Sequence, residues 1–163
     1  MDRVAIALGS NVGDRRAHLD HAVSALRGLV TNPAVSRYYD TVPIGASGPQ
    51  AMYLNAVVVG ETPLTARAML DALLAIEQEC GRERPYANAP RTLDLDLILL
   101  GDVVVEEPGL VVPHPRFRER RFVLEPLAAV APDLRDPVSG RTVAELLAAA
   151  VAGSTGAADS GAA

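Results

Sequence analysis

The sequence has no lysine, no tryptophan, one cysteine and only six aromatic residues, four Tyr and two Phe. Each scarcity excludes something. Without lysine there is no P-loop, whose lysine must reach the β- and γ-phosphates, so a Walker-type kinase is ruled out. The single thiol, Cys80, cannot form an internal disulfide, and packing is its expected role. No apolar run approaches the roughly 18 residues that a membrane span needs. The apolar stretch at 4–8, behind Met-Asp-Arg, is far too short for a secretory signal, so a cytoplasmic protein is expected. The formal net charge of -5 has the wrong sign for a general nucleic-acid binder.

What is present is the balance of a soluble globular protein, 49% hydrophobic and 21% charged residues in a chain of 163. That length suffices for one cored domain and not for two. The domain is expected over 1–151, with a loose Gly/Ala/Ser tail at 152–163 that has nothing to bury. All 15 basic residues are arginine. Seven of them (Arg82, Arg84, Arg91, Arg116, Arg118, Arg120, Arg121) crowd into 82–121, and guanidinium forks suit phosphate oxygens.

Periodicity and punctuation set the element order. A buried strand at 4–8 stops at Gly9-Ser10-Asn11, and Asp14 caps a helix with apolar Leu19, Ala22, Val23, Leu26 and Leu29. Asn32-Pro33 breaks the chain before a strand at 34–39. Residues 41–50 hold two Pro and two Gly and form a loop, followed by a strand at 53–61. Thr65 caps a second helix that ends at Gly81, and 82–90 is a polar loop. A strand at 93–100 turns at Gly101-Asp102 into 103–105, a hairpin signal. The chain is then irregular through Pro115, with short helices around 117–130. Thr142-Val-Ala-Glu145 is a capping box opening a last helix through about 151. Strand, helix, strand, strand, helix, strand is the ferredoxin-like βαββαβ order, an α+β fold with a mainly antiparallel sheet and helices packed on it. Many functions use it, so chemistry must come from particular residues.

The strongest local signal is Pro90-Arg-Thr-Leu-Asp-Leu-Asp-Leu97. Side chains alternate along a strand, so Asp94 and Asp96 share one face, ~7 Å apart, opposite Leu93, Leu95 and Leu97. Two carboxylates so placed repel, but they form a pair of hard oxygen ligands of the kind Mg²⁺ accepts, with phosphates and water completing its shell. Arg91 beside them, and Arg82 and Arg84 in the preceding loop, add guanidinium for phosphate, the make-up of a nucleoside-triphosphate site. Asn55 inside an apolar strand must find partners. Arg116 and Arg118 read as solvated helix charges.

The ordered set Gly9-Ser-Asn11, Tyr39-x-Thr41-x-Pro43-x-Gly45, Tyr53-Leu-Asn-Ala56, Ile76-Glu77, Gly81-Arg82-x-Arg84, Pro90-Arg-Thr-Leu-Asp-Leu-Asp96, Val112-Pro-His114 and Arg120-x-Phe122 resembles the 6-hydroxymethyl-7,8-dihydropterin pyrophosphokinase family, over roughly residues 3–135. The resemblance implies transfer of the diphosphate of ATP to the pterin hydroxymethyl group, releasing AMP. It implies Asp94 and Asp96 as ligands of two magnesium ions. Arg82, Arg91, His114 and Arg120 become the phosphate-binding set, Arg82 mattering most in the transition state. Arg84 is a lesser member, and Glu77 lies at the same site. Asn55 and Thr41 would bond the pterin edge, helped by the main chain around Pro43 and Ile44. Tyr53 and Phe122 would sandwich the ring, with Gly9 and Asn11 beside it. A monomer using only small-molecule substrates, with no nucleic-acid or membrane partner, is the corresponding expectation.

Two departures stand out. Some members carry an Arg-Trp pair before the metal strand, where this chain has Pro85-Tyr-Ala-Asn-Ala89, and some have an aromatic where it has Pro115. No strong general base is evident, and a hydroxyl acidified by a bound metal needs none. Another D-x-D transferase, of nucleotidyl or glycosyl groups, would leave Thr41, Tyr53, Asn55 and Phe122 unexplained. A non-catalytic RNA- or protein-binding module would expect aromatics on a basic sheet, not two aspartates.

Overall fold

The computed structural model describes residues 1–41, 52–81 and 93–153. Of the loops expected at 41–50 and 82–90 and the tail expected at 152–163, all but Thr41 and residues 152–153 lie outside them. β1 (Asp2–Ser10) leads to α1 (Arg15–Leu26), β2 (Thr31–Val35) and β3 (Tyr39–Thr41). Then come β4 (Tyr53–Thr62), α2 (Ala66–Gly81), β5 (Asp94–Leu100), β6 (Val105–Glu107) and β7 (Leu110–Val112). A 3-10 turn (Phe117–Glu119), α3 (Arg121–Val130) and α4 (Val143–Gly153) follow.

The sheet runs β2-β4-β1-β5, every pair antiparallel, with β3 also on β4. This is the expected α+β arrangement, the first strand at its centre. Several local signals act as read. Asp14 accepts from Ala17 N–H at 3.1 Å, and Thr65 Oγ1 from Ala68 N–H at 3.1 Å, satisfying donors that the first helical turn leaves open. Thr142 and Glu145 exchange both bonds of the capping box, at 2.8 and 3.2 Å.

Two expectations are corrected. The strand at 34–39 is two strands, and the first begins earlier, at Thr31. Pro33 cannot donate, so β2 survives at the sheet edge with a register shift between Thr31 and Ala34 and a left-handed Asn32 (φ 52°). At Ser36, between β2 and β3, the hydroxyl accepts from Val57 N–H at 3.0 Å, replacing a ladder bond. The hairpin is also displaced. Segment 103–105 does not fold back on β5, whose outer edge is already engaged. The Glu77 carboxylate takes Leu95 N–H at 2.6 Å, and His114 N–H donates to the Ile98 carbonyl at 2.9 Å. β6 pairs instead with β7 across a left-handed Gly109 (φ 79°).

The two faces of the sheet are buried differently, and that difference makes the site. Ile6, Leu8, Leu54, Leu95 and Leu97 pack against α1 and α2, among Leu19, Leu26, Met69 and Leu73. On the other face Ala5, Val57, Val59 and Ile98 pack under α3 and α4, with Leu124, Leu127, Val143 and Phe117. Those helices cover only one end of that face. Further along the same strands stand Gly9, Tyr53, Asn55, Asp94 and Asp96, lining an open cleft. No helix among the described residues is long and apolar enough to cross a membrane.

Candidate active site

Pairing register places the site residues in rows. Gly9 on β1 lies opposite Asn55 on one side and Asp94 on the other; Ala7 lies likewise between Val57 and Asp96. At the ~4.8 Å strand spacing, Asn55 and Asp94 face outward from backbones about 10 Å apart. The cleft above them holds ≈ 620 Å³. Its floor is low at Gly9, where a Cβ would come within 3.1 Å of Asn55 Oδ1 and 3.7 Å of the Tyr53 ring.

One end of the cleft is aromatic and amide-bearing. Asn55 is only 7% exposed, and its Nδ2 donates to Thr41 Oγ1, held in place by the β3–β4 pair Thr41↔Tyr53. An amide carries two donor hydrogens and an acceptor oxygen, so this bond leaves Asn55 further capacity toward a ligand. Tyr53 is half-buried, and burial, with the Asp94 charge added, pushes its phenol pKa up, so it stays neutral. Phe122, at the start of α3, lines the same cleft with the Arg120 guanidinium 5.6 Å from its ring centre.

The other end is charged. Asp94 and Asp96 alternate with buried Leu95 and Leu97, as the strand pattern requires. Arg116, Glu119 and Arg120 face them from the 3-10 turn region. Neither Arg116 nor Arg120 has a carboxylate partner among the described residues. Arg116 N–H donates to His114 Nδ1 at 3.2 Å, so a neutral His114 carries its proton on Nε2. Burial lowers the His114 pKa; the Asp96 charge opposes this, and Arg120 and Arg116 reinforce it. A neutral imidazole at neutral pH follows.

The structure thus brings together Gly9, Thr41, Tyr53, Asn55, Asp94, Asp96, Arg120 and Phe122 around one cleft. His114 is close enough to feel Asp96 but is not part of the lining. Glu77 is on α2 and holds the β5 main chain through Leu95, while Asn11 lies just past the end of β1; neither lines the cleft. Pro43, Ile44, Arg82, Arg84 and Arg91 lie outside the described residues. Arg116, which reads in the sequence as a solvated charge, and Glu119 also line the cleft. Arg118 is not a solvated charge: it grips the fully buried Asp136 through Nε and Nη2 at 2.5 and 3.0 Å. The available signal was spacing, since Arg116 and Arg120 are four apart and buried Phe117 and Arg118 turn the other way.

The donor set fits magnesium. Two half-buried carboxylates are hard oxygen ligands, and no third acid or imidazole joins them in a cluster among the described residues. The remaining positions would fall to water and substrate phosphates, the usual shell of this ion.

Comparison with known proteins decides the family. The family model for 7,8-dihydro-6-hydroxymethylpterin-pyrophosphokinase (HPPK) matches residues 5–132. The chain belongs to the HPPK family. A Pseudomonas aeruginosa relative, 2-amino-4-hydroxy-6-hydroxymethyldihydropteridine pyrophosphokinase, is 44% identical over 151 residues, 91% of this chain and 92% of its own. A Bacillus subtilis relative of the same name is 44% identical over 133 residues, 80% of this chain and 79% of its own. Among solved structures, wild-type Plasmodium falciparum HPPK-DHPS superposes with a TM-score of 0.75 at 13% identity, over 96% of this chain. The present chain spans 46% of that one, and the likeness speaks for the HPPK fold alone.

Proposed function

We propose that this chain transfers the diphosphate of ATP to the hydroxymethyl group of 6-hydroxymethyl-7,8-dihydropterin, giving AMP and the pterin diphosphate, a step of folate biosynthesis. The observation that carries the proposal is the row Asn55–Gly9–Asp94 across three adjacent strands of an HPPK-family sheet. It sets an amide suited to a heterocycle edge beside a carboxylate suited to a metal–phosphate group, with only a glycine between.

In this reading Tyr53 and Phe122 hold the pterin ring on its two faces, a contact worth about 0.5–1.5 kcal/mol beyond area burial. Asn55, oriented by Thr41, reads the ring edge, and the main chain near Pro43 and Ile44 assists. Gly9 keeps the floor clear, with Asn11 nearby. Asp94 and Asp96 hold Mg²⁺, two ions being expected. When bound, the metal neutralises phosphate charge and acidifies the attacking hydroxyl. Arg82, Arg91, His114 and Arg120 bind the phosphates, Arg82 chiefly in the transition state, while Arg84 and Glu77 support the nucleotide. His114 does so as an Nε2–H donor. Positioning two substrates for in-line attack and offsetting developing charge supply the catalysis, with no side-chain base required.

The family reading extends to one pyrophosphokinase domain over 1–151, acting in the cytoplasm as a monomer. A coupled assay for AMP release from ATP and magnesium tests the activity. Release should require the hydroxymethyl-dihydropterin; release that ignores it would refute the proposal.

A further inference from the structure

Arg15 is the first residue of α1, a position where the helix dipole disfavours a cation, and no acidic residue shares that first turn. Its side chain leaves the helix. One terminal nitrogen, Nη1, donates to Asp40 Oδ1 at 2.9 Å and to the Met52 main-chain carbonyl at 2.7 Å. The acceptors come from two different strand segments. Asp40 is the middle of the three-residue β3, and Met52 immediately precedes β4.

Among the described residues β3 pairs only with β4, through Tyr39↔Asn55, Asp40↔Leu54 and Thr41↔Tyr53. Leu54 belongs to the core under α1 and α2, so Asp40 opposite it lies on that face. Tyr39 and Thr41 alternate to the cleft face. Arg15 therefore grips from behind the short ribbon that presents Thr41, Tyr53 and Asn55 in front. β3 is a three-residue edge strand with few ladder bonds of its own, and a one-residue slip would turn every one of its side chains to the wrong face. Thr41 would then leave Asn55, whose amide it orients.

We propose that Arg15 is a positioning residue for the pterin half of the cleft, pinning β3 to β4 from the far side of the sheet. The inference rests on the functional reading above. Steady-state kinetics with pterin and ATP varied separately tests it, on Arg15→Ala, Arg15→Lys and Asp40→Ala, with a thermal melt of each. Arg15→Ala should raise the pterin KM roughly fivefold, the upper end of what one part-exposed ion pair contributes. The ATP KM should stay within about twofold. Arg15→Lys should recover most of the loss. Asp40→Ala should lose less than Arg15→Ala, because the Met52 carbonyl keeps its donor. Should Arg15→Ala fail to fold, an intermediate pterin KM in the other two variants supports the role and a wild-type value in both overturns it. A folded Arg15→Ala with an unchanged pterin KM, or with both KM values raised alike, also overturns it. A wild-type protein without pterin-dependent turnover would instead overturn the functional reading.

Discussion

Replacing Asp136 with asparagine removes one charge and almost no volume from a site that solvent does not reach. The carboxylate receives Arg118 Nε at 2.5 Å and Nη2 at 3.0 Å, the Ser139 hydroxyl at 2.8 Å and Val138 N–H at 3.0 Å. Burial alone would raise its pKa, but these donors, Arg118 first, outweigh burial and hold it at about 2 against the ordinary 3.8. At ~1.36 kcal/mol per pH unit, that gap is worth roughly 2 kcal/mol of folding stability. The folded-state pKa is the lower one, so the contribution is full above about pH 4 and disappears as pH falls through about 2. Asparagine cannot titrate. It also leaves Arg118, whose side chain is 28% exposed, without its counter-charge, and about 3 kcal/mol should be lost at neutral pH. Urea unfolding of both proteins at steps between about pH 7 and pH 2 isolates the effect, since titrations common to both cancel. The stability difference should narrow by roughly 2 kcal/mol toward low pH. A difference that stays constant with pH would refute the reasoning. The site bears on function because the 3-10 turn held by Arg118 lies between Arg116 and Arg120.

Three further outcomes follow from the cleft. Asp94→Ala and Asp96→Ala should each nearly abolish turnover with a melting temperature close to wild type, since both face the cleft and not the core; full activity at saturating magnesium would remove them from the metal site. Gly9→Ala places a methyl 3.1 Å from Asn55 Oδ1, so pterin affinity should fall about tenfold with ATP affinity kept; calorimetric titration of each substrate separates the two. Arg116→Gln should weaken a non-hydrolysable ATP analogue by about tenfold, the loss of one charged hydrogen bond, while pterin binding holds; the control Arg67→Gln, whose partner is Glu107 on the β6–β7 hairpin, should change neither.

Much of this was legible in the residues. The alternation Leu93, Asp94, Leu95, Asp96, Leu97 put two carboxylates on one face, and the structure buries the leucines and opens the aspartates to the cleft. Helix starts were legible because a cap is a local bond between a side chain and a main-chain donor two or three residues on. Pairing was not, because it depends on which strand edge is still open. The hairpin expected after Gly101 failed on that point: Glu77 and His114, distant in sequence, already occupy the edge of β5. The same holds for Arg116 and Arg118. Two residues apart in one arginine-rich stretch, they look equivalent until a buried acid 18 positions beyond Arg118 claims it and leaves Arg116 to the cleft.

The measurement that bears most directly on the proposed chemistry is the identity of the group transferred. Incubating the protein with ATP, magnesium and 6-hydroxymethyl-7,8-dihydropterin, and following phosphorus by NMR, distinguishes transfer of one phosphoryl group from transfer of two. AMP and a pterin diphosphate appearing together in equal amounts is the expected result. ADP with a pterin monophosphate, or AMP with free pyrophosphate and unchanged pterin, would contradict it.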